Sequence, residues 1–117
     1  MDPTHLSEDF VAEVAQITDE IGTLLATYPA QAEIMRGLGD AARKRPETLG
    51  TLFRDGAIWG GSGSVTDVVL RDRSADKKKR ELEVRLVEAF ERAGYVFERA
   101  SQTAAIYRGW LKRGVLG

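Results

Sequence analysis

The sequence predicts an all-α domain: a compact bundle of four to six helices over residues 1–117, with a glycine-rich loop before a short helix. Three observations carry that expectation. Apolar residues recur at alternating steps of three and four, the period of an amphipathic helix. Capping and helix-stopping residues punctuate those stripes. The loops between the stripes are short, which favours antiparallel neighbours packed in a bundle.

The first helix takes Thr4 or Ser7 as its cap, with Glu8 and Asp9 in the first turn, where the helix dipole favours acid. Phe10, Val14, Ile17, Ile21 and Leu24 form its inward stripe, and Tyr28-Pro29 ends it. A second helix is expected from Ala30 to Lys44, with Ile34, Leu38 and Ala41 inward and with Gly37 and Gly39 weakening it. Pro46 suits the first turn of a short third helix, with Leu49, Leu52 and Phe53 inward and Asp55-Gly56 as its stop. After the glycine loop, Ser64-x-x-Asp67 has the spacing of a capping box, which predicts a short helix through Leu70. The β-branched Val65, Thr66, Val68 and Val69 keep a strand open as the alternative. Asp76 is the expected cap of a long helix to Ala93, with Leu82, Leu86 and Phe90 on one face and Gly94 behind it. The last helix is expected from Val96 to Arg113, with Val96, Ala100, Thr103, Tyr107 and Leu111 on its apolar stripe and Gly114 at its end.

Composition bounds the function. With 43% hydrophobic and 30% charged residues the chain has the make-up of an ordinary globular domain rather than a disordered one. No cysteine is present, which excludes disulfides, thiolate nucleophiles and Cys-based zinc sites. The N-terminal residues are acidic, unlike a secretory leader, and no apolar run approaches a membrane span, so a cytoplasmic protein is expected. The net charge of −1 conceals a segregation. Residues 1–35 hold seven acids and no Lys or Arg, and the rest of the chain holds all 17 basic residues. Such segregation bears on partners more than on fold.

The stretch Trp59-Gly60-Gly61-Ser62-Gly63-Ser64 is the most distinctive local feature. A phosphate-binding loop needs Lys after its last glycine, where Ser64 stands, and the dinucleotide pattern fails because Thr66 replaces its third glycine. What the residues allow is a general anion cradle: the amides of Gly61, Ser62, Gly63 and Ser64, supported by Arg71, Arg73 and Lys77, with Gly60 and Asp67 shaping the loop. The alternative is a purely structural turn. A serine nucleophile would need a base, and the one histidine, His5, lies far off in sequence. No catalytic residue, metal site or cofactor is therefore assigned. The run from Arg71 to Arg80 carries six basic residues, suited to nucleic acid or an acidic surface, or to a solvated helix start that puts Lys77 to Lys79 in the first turn. On the first helix, Asp9, Glu13, Gln16 and Glu20 share the face away from the apolar stripe, and Trp110 is an amphipathic anchor near a basic helix end.

With Gly60-Gly61-x-Gly63-Ser64-x-x-Asp67 followed by Val68-Val69-Leu70, the chain resembles an uncharacterised family of small bacterial helical proteins with a G-G-M-G-S-x-N-D-L-like signature. The resemblance covers about residues 10–93; Ser62 stands where that family has Met and Thr66 where it has Asn. It implies an N-terminal helical pair, then the signature, then a C-terminal helix, with the segment from Tyr95 as an addition. It carries over no catalytic residue, and it implies accessory proteins of the toxin-neutralising kind. The expectation is a non-enzymatic interaction module of immunity or antitoxin type. Asp9, Glu13, Glu20 and Trp110 would meet a basic toxin domain; a second copy of the chain is an alternative partner. An anion, nucleotide or nucleic-acid binding module built on the glycine loop and residues 71–80 is the runner-up.

Overall fold

Ser7 starts the first helix, its Oγ accepting from Phe10 N at 3.1 Å, in a computed structural model that describes residues 7–114. Thr4, the other expected cap, and His5 lie outside the described residues. Helix α1 (Glu8–Leu24) buries Phe10, Val14, Ile17 and Ile21 as the stripe requires, but Leu25 rather than Leu24 completes it. Helix α2 (Pro29–Lys44) begins with Pro29 in its first turn, where the missing N–H would have had no partner anyway. Its core side presents Ala32, Met35, Leu38, Ala41 and Ala42, while Ile34 is only partly buried.

The two glycines of α2 do opposite things. A Cβ on Gly39 would collide with Thr18 Oγ1 of α1, a buried hydroxyl already donating to Val14 O at 2.7 Å. Gly39 therefore sets how closely α1 and α2 approach. A Cβ on Gly37 would meet nothing within 4 Å.

A 3₁₀ turn (Pro46–Thr48) leads into α3 (Leu49–Phe53). Helix α3 stops before Asp55-Gly56 as expected, and the same pair also restarts the chain: Asp55 Oδ1 accepts from Ala57 N at 2.8 Å and caps the one-turn helix α4 (Gly56–Trp59). An Asp before a Gly reads equally as an end or as a new cap, and here the carboxylate finds an amide two residues on. The short helix expected from Ser64 to Leu70 does not form. Ser64 Oγ does accept from Asp67 N at 3.3 Å, but the segment makes one turn and then runs extended, with no strand among the described residues. The β-branched residues and outside bonding partners together prevent propagation.

Helix α5 (Arg73–Arg92) is capped by Asp72, whose Oδ1 accepts from Ala75 N at 2.9 Å, not by Asp76. Lys77 to Lys79 accordingly sit in the second turn rather than the first. The C-terminus matches expectation. Gly94 has φ +95°, Gly94 N donates to Glu91 O at 3.0 Å, and Tyr95 N to Phe90 O at 2.9 Å, a Schellman closure. Helix α6 (Glu98–Lys112) starts two residues later than expected because Phe97 is extended (φ −128°, ψ 118°), so Val96 lies before the helix and is exposed rather than inward.

Helix α1 packs on α2 and α5, and α6 packs on α5. Phe90 from α5 stacks on Phe53 from α3 with centroids 3.9 Å apart, and Phe10 from α1 meets Phe90 edge-on at 5.3 Å. Trp59 is core, its Nε1 donating to Phe53 O at 2.7 Å. No helix among the described residues is long and apolar enough to cross a membrane.

The glycines of α2 give a paired test. Gly37→Ala should stabilise the protein by about 1 kcal/mol, the propensity difference at an open helix-interior position. Gly39→Ala should destabilise it by about 1–3 kcal/mol through overpacking against Thr18. Urea unfolding of the two variants measures both signs.

Candidate functional site

Four charged residues of α5 are buried: Asp76, Lys79, Arg80 and Glu83. The helical period places them on one side, at i, i+3, i+4 and i+7. Lys79 Nζ lies 2.9 Å from Glu83 Oε2, and both side chains are essentially inaccessible to solvent. Arg80 is the hub. Its Nη1 donates to Thr66 O at 2.7 Å and to Tyr107 Oη at 2.8 Å, its Nη2 donates to Val68 O at 3.1 Å, and Glu83 Oε1 stands 3.4 Å from Nη1. The guanidinium also lies 4.9 Å from the centroid of the Tyr107 ring. Asp76 Oδ1 accepts from Leu70 N at 2.9 Å. Two cations and two anions thus close a neutral network that ties the segment 66–70 to α5 and α6.

Burial shapes the proton affinities here. It pushes the Lys79 ammonium below the ordinary lysine value, against the attraction of Glu83, and the Arg80 charge acts in the same direction. It pushes the Glu83 carboxyl above the ordinary carboxylate value, with Lys79 and Arg80 pulling it back. Burial, and then the Glu83 charge, raise the Tyr107 phenol from 10.0 to about 12.

The glycine loop uses most of its own polar groups. Gly63 N donates to Asp67 Oδ2 at 3.0 Å, Ser64 N to Gly61 O at 3.1 Å, and Val65 N to Ala57 O at 2.9 Å. Ser64 Oγ donates to Gly60 O at 2.6 Å and lies 3.3 Å from Thr66 Oγ1. Gln31 of α2 donates to Gly63 O at 2.9 Å and tethers the loop from outside. A Cβ on Gly60 would strike the Gly56 carbonyl, and Gly63 has φ +85°, so both glycines are required by the turn. Gly61 and Ser62 are exposed. The Asp67 carboxylate occupies the position on the Gly63 amide that a bound anion would need.

The expected basic segment divides. Arg71, Arg73, Lys77 and Lys78 are exposed, while Lys79 and Arg80 belong to the buried network. Lys79 was legible in principle: continuing the Leu82–Leu86–Phe90 stripe backwards by three residues lands on it. Reading six basic residues as one charged run hid that register.

The acidic face of α1 is partly answered inside the molecule. Arg92 Nη2 pairs with both Glu13 carboxylate oxygens, at 3.0 Å to Oε2, across a cavity of about 200 Å³ bordered by Asp9 and Phe10. Asp9 is exposed. Glu20 lines a second groove of about 240 Å³ with Asp19, Leu24, Lys78 and Leu82. Its Oε2 is buried and has no hydrogen-bond partner among the described residues. Trp110 is on α6, half-buried beside Tyr107 with ring centroids 5.3 Å apart. No group of three or more metal-ligating side chains occurs among the described residues.

Two measurements probe the network. Lys79→Met leaves Glu83 buried with one counter-charge fewer and should cost about 3–5 kcal/mol, most of it recovered in Lys79→Met/Glu83→Leu. Denaturant unfolding of both variants distinguishes this from simple loss of packing. Because the Tyr107 pKa is raised on folding, its contribution to stability is complete below pH 10.0 and is lost as the pH rises through about 12. An alkaline spectroscopic titration should show a late-ionising component that Tyr107→Phe removes. Comparison with protein-family models, with curated proteins and with solved structures gave no match.

Proposed function

We propose that the chain is a non-enzymatic protein-interaction module of the immunity or antitoxin kind, acting in the cytoplasm and docking a basic surface through the acidic face of α1. The observation that carries this reading is Glu20. A buried carboxylate oxygen without a donor is costly, and it sits in a groove whose floor, Leu24 and Leu82, is apolar. A partner's Lys or Arg seated in the groove would pair with the Glu20 carboxylate at its accessible edge and lay its methylene stem on that floor. Asp9 and Glu13 extend the same charge along α1 and would speed the approach of a basic partner.

The reactive-looking groups fit a module without chemistry of its own, since Ser64 and Asp67 are engaged by their own loop. The anion-binding reading ranks second. It keeps exposed Gly61, Ser62, Arg71, Arg73 and Lys77, but an anion would have to displace the Asp67 carboxylate from the Gly63 amide.

The test is capture of partners by the tagged protein from nuclease-treated extract of its own cells, repeated with Asp9→Lys/Glu13→Lys/Glu20→Lys. The wild type should retain a basic protein in stoichiometric amount. The variant should bind that purified protein at least roughly tenfold more weakly, with an unchanged circular dichroism spectrum. Equal affinity would overturn the acidic-face reading, and retention of only a second copy of the chain would replace the toxin partner with a homodimer.

A further inference from the structure

We propose that the groove between α2 and the α3–α4 segment is a binding site for a small apolar α-amino acid. The site is independent of the α1 face. Its cavity of about 220 Å³ has an apolar floor of Ile34, Leu38, Leu52 and Ile58. An apolar protein cavity of about 150 Å³ accepts a benzene molecule, so one branched or aromatic side chain fits here.

Gly37 is the second observation. It lines this groove from the middle of α2, and a Cβ there would meet no atom within 4 Å. The fold needs Gly39 for a close helix contact and Gly60 for a tight turn, but it has no such need at 37. A helix-interior glycine is costly to the helix, and what it leaves at this place is open space in the wall of the groove.

The rim supplies the third. Arg45 and Asp55 line the same groove, both are exposed, and neither forms an ion pair among the described residues. Asp55 uses Oδ1 to cap α4, which leaves Oδ2 for a ligand. A guanidinium is matched by a carboxylate, which it can hold through two parallel hydrogen bonds, and a carboxylate is matched by an ammonium. One charge of each sign above an apolar floor suits a zwitterion with an apolar body. A fatty acid would leave Asp55 facing its carboxylate, and a plain hydrocarbon would leave both rim charges unused.

An amide NMR titration of the full chain with L-leucine and L-phenylalanine tests this. Saturable shifts are expected at Gly37 and at Ala57–Ile58. Phenethylamine, which lacks the carboxylate, and 3-phenylpropionate, which lacks the ammonium, should each bind roughly tenfold more weakly, the value of one charged hydrogen-bonding group. Gly37→Leu keeps a good helix former in α2 and should abolish binding by filling that space. Arg45→Gln, at an exposed position, should weaken it by the same order as loss of the ligand carboxylate. Absence of saturable shifts with either amino acid overturns the proposal, as does unchanged binding in Gly37→Leu. Equal binding of N-acetylphenylalanine amide also overturns it, because the groove would then be taking the side chain of a peptide rather than a free amino acid.

Discussion

The Arg80 guanidinium is the constraint on which the rest of the structure depends. Helices α1, α2 and α5 can close on one another through apolar stripes alone, but the segment 60–70 has no helix or strand of its own to satisfy its backbone. Buried carbonyls without donors would each cost about 1–3 kcal/mol. Arg80 answers the carbonyls of Thr66 and Val68, and Asp76, one turn earlier on α5, answers the amide of Leu70. The same guanidinium reaches Tyr107 and so fixes α6 as well. One side chain thereby sets where a glycine-rich loop, a long helix and a C-terminal helix meet. Burying an unpaired arginine for this purpose would be prohibitive, and Glu83 is what makes it affordable. Lys79 then balances the remaining charge of Glu83, and the network is neutral as a whole.

That logic explains which parts of the fold were readable in advance. Helices α1, α2 and α5 were legible because their core stripes repeat over several turns, and an apolar stripe depends on local spacing alone. The end of α5 was legible too, since Gly94 at the close of a stripe has few other uses. The segments that misled are those whose hydrogen bonds go to distant residues. Ser64 and Asp67 form the local half of a capping box, yet Val65 N is taken by Ala57 O and Thr66 N by Ile58 O, which stops the turn from growing. Asp76 has the right residue type for a cap, but its carboxylate is used six residues back. Asp72, equally suitable, takes the helix start instead. A choice between two capable caps is decided by tertiary packing, which local propensity does not contain.

The candidate sites divide in the same way. The acidic face of α1 was readable as a face, but whether each acid is free depends on its neighbours from α5. Glu13 has an intramolecular partner in Arg92, an exposed pair that contributes little and is screened by salt. At Glu20 the Oε2 atom has no hydrogen-bond partner among the described residues. Charge segregation along the sequence is therefore only partly a statement about partners; at Glu13 the protein supplies its own. The same composition gives two roles on α5, where Lys77 and Lys78 face solvent and Lys79 and Arg80 are interior. Net charge over ten residues carries no information about that division, whereas the position of each residue relative to Phe90 does.

The buried charge network and the proposed binding grooves are consequently built from different residues. The buried network lies where α5, α6 and the loop converge, and its members have little accessible surface from which to bind anything. Polar groups outside any ion pair among the described residues, the buried Glu20 Oε2 on one side and exposed Arg45 with Asp55 on another, border grooves whose floors are apolar. Polar groups at the edge of an apolar concavity are held less well by water than on an open surface, and they fix the orientation of whatever enters. Gly37 belongs with them. Gly39, two residues away on the same helix, is tied to the core by Thr18, so replacing it would be felt throughout the α1–α2 contact. Gly37 can be changed beside its groove without touching that contact, which makes α2 a helix with one face committed to the fold and the next left open.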